Sequence, residues 1–351
     1  MKTTQKEKVI QLIKHSFRKK VQKDPNLKSA FLLVHSDKNE IHLNLNEGLI
    51  DSNQPAYMAS VGKLFTSVLI SILYEEGLLK YTDKITYYLD QALLQKLHVY
   101  NETDYTKEIE IKHLLNQTSG LPDFFHPLLN QLLNDPNFYM SPEEAITWAK
   151  IHKKPHFPPG KGFKYSDTNY HLLGLIIEKI TKQPFHESIK QYFYEPLEMR
   201  HSSFLFESDP IDQNTPPVAD FYVNHHNITH LKGYSGIDFA GSGVVSTGED
   251  LLKFMKALTS HRLVKKETFE KMKKDKAKYG VGIDYGYGIM QFKPVPLLMP
   301  KKFTLWGHAG ITGAYMFYHP KLDTYVIGTF NDFSYERKGV KFMLMNVINR
   351  L

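Results

Sequence analysis

The 351-residue sequence contains no cysteine at all. That absence removes disulfides, cysteine-ligated zinc and a thiol nucleophile together, and it fits a reducing compartment. Also missing is any run of about 18 apolar residues, the length a bilayer-crossing helix needs. Met1 to Lys28 is rich in Lys and Gln and lacks the apolar centre of a secretory signal, so a cytoplasmic location is expected. The formal net charge is +7 and the pI about 9.0. The basic residues are spread along the chain with no nucleic-acid motif beside them, so no nucleic-acid partner is expected. There is no internal repeat and no low-complexity tract.

What is present is enough chain for about two domains or one large intertwined unit. Val9 to Val21 has apolar residues at helical spacing, and Phe31 to Leu45 reads as two strands around a polar turn. Val61 to Leu78 is almost continuously apolar, which predicts a helix buried on most sides. Helical signals then dominate: Asp90 to Leu97, Ile111 to Asn116, Pro142 to His152, Tyr170 to Thr181 and Phe185 to Tyr194. Lys265 to Lys278 alternates Lys pairs with Phe269 and Met272 and predicts a solvated amphipathic helix. Strand signals return at Thr304 to Gly307, Ala314 to His319 and Tyr325 to Phe330, and Val340 to Leu351 closes as a helix. Strands at both ends around a helical insert predict one α/β unit built from both ends of the chain.

Chemistry concentrates in three places. Ser60-Val61-Gly62-Lys63 is a Ser-x-x-Lys at the mouth of the buried helix, a spacing that sets hydroxyl and ammonium on one face. A serine hydroxyl needs a base to become a nucleophile, and its own backbone N–H can serve as an oxyanion donor. Ser16-Phe17-Arg18-Lys19 has the same spacing, but in an exposed basic helix; alone, Ser60 also reads as a helix cap and Lys63 as a surface lysine. The second place is Gly160 to Tyr170, a glycine-containing turn that carries Tyr165 into a helix, where nearby cations would lower the phenol pKa. The third is Trp306-Gly307-His308-Ala309-Gly310-Ile311 at a strand end, with His308 placed to donate to a substrate.

These elements, in this order, resemble the serine β-lactamase and penicillin-binding-protein family, specifically its class C β-lactamase-like esterase and peptidase branch. His113 to Pro122 is similar to that branch's Leu-Leu-x-x-x-Ser-Gly-Leu loop, Glu195 to Met199 to its Pro-Leu-Gly-Met segment, and Gly241 to Leu251 to its Gly-Gly-x-x-Ser-Thr-x-x-Asp-Leu stretch. The resemblance implies a β-lactamase/transpeptidase-like α/β (α+β) fold: an antiparallel sheet flanked by helices, plus a helical subdomain. Residues 1–28 would be an N-terminal helical segment. The catalytic domain would follow over 29–351, its α/β part at about 29–79 and 236–351 and its helical part at about 80–235.

By the same resemblance Ser60 is acylated, Lys63 and Tyr165 share base and acid duty, and the backbone N–H groups of Ser60 and Ile311 form the oxyanion hole. His308 and Gly310 would line the substrate strand. Which of Lys63 and Tyr165 is the resting base stays open, since the two would titrate together. Two departures matter. His308 stands where β-lactamases have Lys, which weakens carboxylate recognition at neutral pH, restored in part as the imidazole charges toward pH 5.5. Asp167 stands where they have Asn; it either pairs with Lys63, favouring amine-bearing substrates and leaving more base work to Tyr165, or simply caps the next helix.

The expected function is therefore serine hydrolysis of an ester or amide of a small molecule or short peptide, without cofactor or metal. A D-alanyl-D-alanine carboxypeptidase or weak β-lactamase and a non-catalytic ligand sensor are the alternatives. His225, His226 and His230 sit in an Asn-rich, loop-like segment without a zinc motif, and Ser119 reads as a turn residue. Oligomeric state is not encoded in any recognisable pattern.

Overall fold

The computed structural model describes residues 3–296 and 300–351. Its centre is an antiparallel sheet of eight strands. In chain order they are β1 (Ala30–Ser36), β2 (Ile41–Glu47), β3 (Ala277–Gly280), β4 (Ile283–Tyr285), β5 (Met290–Phe292), β6 (Leu305–Ala309), β7 (Tyr315–His319) and β8 (Thr324–Thr329). The spatial order is β3-β4-β5-β6-β7-β8-β1-β2. Strands from the two ends of the chain therefore meet in mid-sheet, Phe31 opposite Thr329 and Val34 opposite Val326.

Alternation along the strands divides the core. In β1, Phe31 and Leu33 face a large cluster on the helical side, whereas Ala30, Leu32 and Val34 face a second cluster on the other. The edge strand β2 buries Ile41, Leu43 and Leu45 and leaves His42 exposed, so only one of its faces is covered. That outer face is closed by α1 (Thr3–Lys23) and the C-terminal helical segment. Ile13, Phe17 and Val21 recur at intervals of four and are buried, with Phe17 against Phe330 and Phe342 at ring distances of 6.3 and 6.2 Å.

The other face carries α2 (Gly62–Glu75), whose residues Gly62 to Ser71 are all buried, and a helical region with a third apolar cluster. That region includes α3 (Phe125–Asn134), α4 (Pro142–His152), α5 (Asp167–Thr181) and α6 (Tyr234–Ser242). Further along the chain, α7 (Gly248–Thr259) returns to cover β1 and β8, and α8 (Lys266–Lys274) leads into the far edge of the sheet. A three-stranded sheet formed by Ala56–Tyr57, Val244–Ser246 and Ser203–Phe204 anchors the segment before α2. Among the described residues no helix is long and apolar enough to cross a membrane.

Two expectations change and one group of strands was not foreseen. The helix foreseen over Lys265 to Lys278 stops at Lys274, because Asp275 is drawn into hydrogen bonds from Asn116 and Tyr287 and the chain turns into β3. Strands β3 to β5 have 3 or 4 residues each, too short for alternation to register in the sequence. Asp90 to Leu97 is helical only over Gln91–Leu94, and Lys96 takes a left-handed φ of 55° that ends the turn.

Because Phe17 is fully buried, Phe17→Ala should lower stability by about 3–5 kcal/mol in urea unfolding, within a single transition. A separate early transition for α1, with the main one unmoved, would contradict this packing.

Candidate active site

The short strand Ala56–Tyr57 delivers the chain to a 3₁₀ turn, Ala59–Val61, that opens α2. Ala59 holds a φ of 49°, a strained value for a residue with a side chain, and it tips Ser60 toward a cleft of about 690 Å³. In the first turn of α2, Lys63 is completely buried, and its Nζ lies 3.2 Å from Ser60 Oγ and 2.9 Å from the carbonyl of Gly241. That carbonyl is available because α6 breaks at Phe239 (φ 30°), just before it. A Cβ on Gly241 would stand 3.1 Å from Asp167 Oδ1 and 3.4 Å from Lys63 Nζ, so a larger residue would press on the ion pair.

Asp167 forms an ion pair with Lys63. Ser166 occupies the cap position of α5, so Asp167 stands in the first turn and spends its carboxylate on the ammonium rather than on capping. The rings of Tyr165 and Tyr170 lie 5.1 and 5.3 Å from Lys63 Nζ and complete its enclosure. Tyr165 lines the cleft beside Ser60. Burial first, and then the Asp167 charge, push its phenol well above the usual tyrosine range. The expected lowering by nearby cations is thus reversed, because Lys63 is neutralised by Asp167 while the phenol is largely desolvated at the cleft wall.

Across the cleft, Ala309, Gly310 and Ile311 leave the end of β6. A Cβ on Gly310 would stand 2.7 Å from the Met58 carbonyl and 2.8 Å from the Ala59 side chain, so glycine lets this segment close on the serine turn. The backbone N–H groups of Ser60 and Ile311 donate no hydrogen bond to another described residue. Unspent N–H groups beside a nucleophile are what a developing oxyanion needs.

His308 is a correction. It is fully buried, it does not line the cleft, and both ring nitrogens are engaged: Nε2 with the Tyr285 hydroxyl at 2.9 Å and Nδ1 with the Ala309 carbonyl at 2.8 Å. Burial and then Lys63 push it down to about 3, so it does not charge at pH 5.5 and cannot present a cation to a substrate. It braces β6 from behind. The reason is alternation: Ala309 faces the cleft, so its neighbour in the strand points the other way.

Two features escaped the sequence reading. Asp123 lines the cleft one residue beyond the Ser-Gly-Leu-Pro loop, and its Oδ1 accepts the Asp167 N–H at 2.8 Å. Burial, then the Asp167 charge, raise its carboxyl to about 7. Behind Lys63, the Tyr57 hydroxyl donates to Asp238 Oδ1 at 2.5 Å, and burial raises the Asp238 carboxyl well above the ordinary range. Nothing but the residue types signals this second group, since Tyr57 and Asp238 are far apart in sequence. Ser119 is structural, donating to Asn169 at 2.6 Å. His225 and His226 fall in a small hairpin, Tyr222–Val223 with His226–Asn227.

The chain matches the family described as Beta-lactamase over residues 17–347. "Protein flp" of Staphylococcus aureus (strain MW2) is 35% identical over 147 residues, 42% of this chain and 27% of that protein. "Penicillin-binding protein 4*" of Bacillus subtilis (strain 168) is 27% identical over 272 residues, covering 70% of this chain and 54% of the relative. The chain thus spans between a quarter and about half of the length of these relatives. Two solved structures share the fold. A D-stereospecific amidohydrolase from Streptomyces sp. has a TM-score of 0.78 at 21% identity, over 95% of this chain and 97% of that one. The octameric penicillin-binding protein homologue from Pyrococcus abyssi has a TM-score of 0.76 at 24% identity, over 94% and 76%.

The burial of His308 fixes a pH dependence. An imidazole whose folded pKa is depressed contributes stability that is complete above its unfolded value near 6.5 and is lost as pH falls toward about 3. Compared with wild type, His308→Gln should therefore flatten the loss of unfolding free energy by about 1.4 kcal/mol per pH unit between pH 6 and 4. Parallel curves would refute a buried neutral imidazole. His308→Lys should destabilise by at least about 3 kcal/mol in the same assay, since it forces an ammonium into that site.

Proposed function

Because this chain belongs to the beta-lactamase family, we propose that it is a serine hydrolase that cleaves an ester or amide of a small molecule or short peptide through an acyl-enzyme on Ser60. One observation carries the assignment: a fully buried lysine lies 3.2 Å from a serine hydroxyl at the edge of a cleft. A lysine so enclosed is costly unless its charge is used.

In this reading the substrate carbonyl lies over Ser60, its oxygen facing the N–H groups of Ser60 and Ile311. Lys63 and Tyr165 both hold their protons at rest, Lys63 in its ion pair and Tyr165 through burial, which leaves the Asp167 carboxylate as the unprotonated member. Lys63 therefore works as a shuttle. As it passes one proton to Asp167 it takes the Ser60 proton, and the Ser60 oxygen forms its bond to the carbonyl carbon. Collapse of the tetrahedral adduct expels the leaving group, which takes the Tyr165 proton across the cleft that Tyr165 and Ser60 both line. The proton on Asp167 returns by way of Lys63 to restore the phenol. Water then attacks the acyl-enzyme by the same route in reverse.

Carboxypeptidase or β-lactamase action is the less favoured reading, because the third motif offers the cleft no cation with which to hold a substrate carboxylate. A non-catalytic sensor is disfavoured by the closeness of Ser60 to a buried lysine.

Intact-mass measurement after a fluorophosphonate probe, with a panel of p-nitrophenyl esters, tests the assignment. Wild type should gain one adduct and turn over a neutral ester. Ser60→Ala should gain none and lose at least about 10³-fold in kcat while keeping its melting temperature within a few degrees. Labelling of Ser60→Ala at the wild-type rate would sink it. The shuttle makes a further demand: Lys63→Ala combined with Tyr165→Phe should be scarcely worse than the poorer single variant. Multiplicative losses would mean that the two act independently.

A further inference from the structure

Three carboxyl groups surround one ammonium at this site, and the charges do not balance. Lys63 is committed to Asp167, Ser60 and the Gly241 carbonyl. Asp238, behind it, is fully enclosed and held by Tyr57. Asp123 has no cationic partner among the described residues, yet it opens on the cleft. Its carboxylate receives the Asp167 N–H at 2.8 Å. The other charged or titratable side chains on the cleft are Asp167, His126, Glu336 and Arg337, with Tyr57, Tyr165 and Tyr279 as phenols. None of the cations among them pairs with Asp123. The Phe125 and Tyr165 rings line the same cleft and offer faces to a cation.

We propose that Asp123 seats a protonated amine of the substrate, so that the preferred substrates are α-aminoacyl esters or amides. The α position follows from proximity. Asp123 is bonded to the backbone of Asp167, whose carboxylate holds the lysine that touches Ser60, so an amine at Asp123 belongs close to the carbonyl under attack. The inference rests on the hydrolase reading for its chemistry, but the binding it describes does not require turnover.

An incoming ammonium supplies the missing positive charge and favours the ionised form of Asp123. Both partners must be charged. The carboxyl ionises above about 7 in the empty cleft, and an α-amine loses its proton above about 8. The preference for an amine is therefore greatest near pH 7.5 and declines on either side. Arg337 shares the cleft and opposes the amine, whereas Glu336 and Asp167 support it.

The test is calorimetric titration of the full-length Ser60→Ala protein, which binds without turnover. The probes are phenylalaninamide in each hand and 3-phenylpropanamide, which differs only by the missing amine. At pH 7.5 one hand of the aminoamide should bind about tenfold or more tightly than the deamino compound, the worth of one charge-assisted contact. That ratio should shrink at pH 5.5, and adding Asp123→Asn should bring it close to unity. A merely structural role for Asp123 would weaken both ligands alike and leave the ratio intact. Equal binding of the two amides at pH 7.5, or a preference that survives Asp123→Asn, overturns the proposal. Absence of fluorophosphonate labelling at Ser60 in the wild type would instead count against the hydrolase reading alone.

Discussion

Everything at the site depends on keeping one ammonium ion dry. Lys63 has no access to solvent, and an isolated charge in such a place would cost several kcal/mol. The protein meets that cost with fixed partners from three parts of the chain: the Asp167 carboxylate at the start of α5, the Gly241 carbonyl after the break in α6, and the Ser60 hydroxyl one turn back. Two tyrosine rings close the remaining sides. The strained backbone at Ala59 and Phe239 is understandable in this light. Each deviation brings a polar group to the lysine that regular helix geometry would have pointed elsewhere.

The same constraint explains why the neighbouring groups hold their protons. With the single cation neutralised by Asp167, little positive charge is left to stabilise further anions, so the Tyr165 phenol and the Asp238 carboxyl are both pushed upward by burial. Asp123 alone titrates near neutrality, because it meets the cleft as well as the protein. Proton movement among Ser60, Lys63, Asp167 and Tyr165 therefore leaves the net charge of that group unchanged.

Much of this was legible in the sequence, for reasons that differ between elements. The 3.6-residue period of α1 and the nearly unbroken apolar run of α2 report burial directly, and β1, β7 and β8 are long enough for side-chain alternation to be visible. Local spacing and the order of three motifs single out Ser60, Lys63 and Tyr165, which the structure brings close together. His308 was misread because a motif gives the identity of a residue and not the face of the strand to which it points. Asp123 lies one residue past a recognisable loop, and its significance arises only from Asp167, which is distant in sequence and close in space. The strands of the far edge, β3 to β5, are held by pairing to their neighbours rather than by any pattern of their own.

The pairing of β1 with β8 has a temporal consequence. Phe31 cannot meet Thr329 until all the chain between them has left the ribosome, and long-range strand pairing of this kind slows folding. Ser60 belongs to the first fifth of the sequence and Ile311 to the last, so the two N–H groups that would receive an oxyanion come together only when the sheet is sewn shut. Ser60 is thus made well before the second of these N–H groups exists to face it.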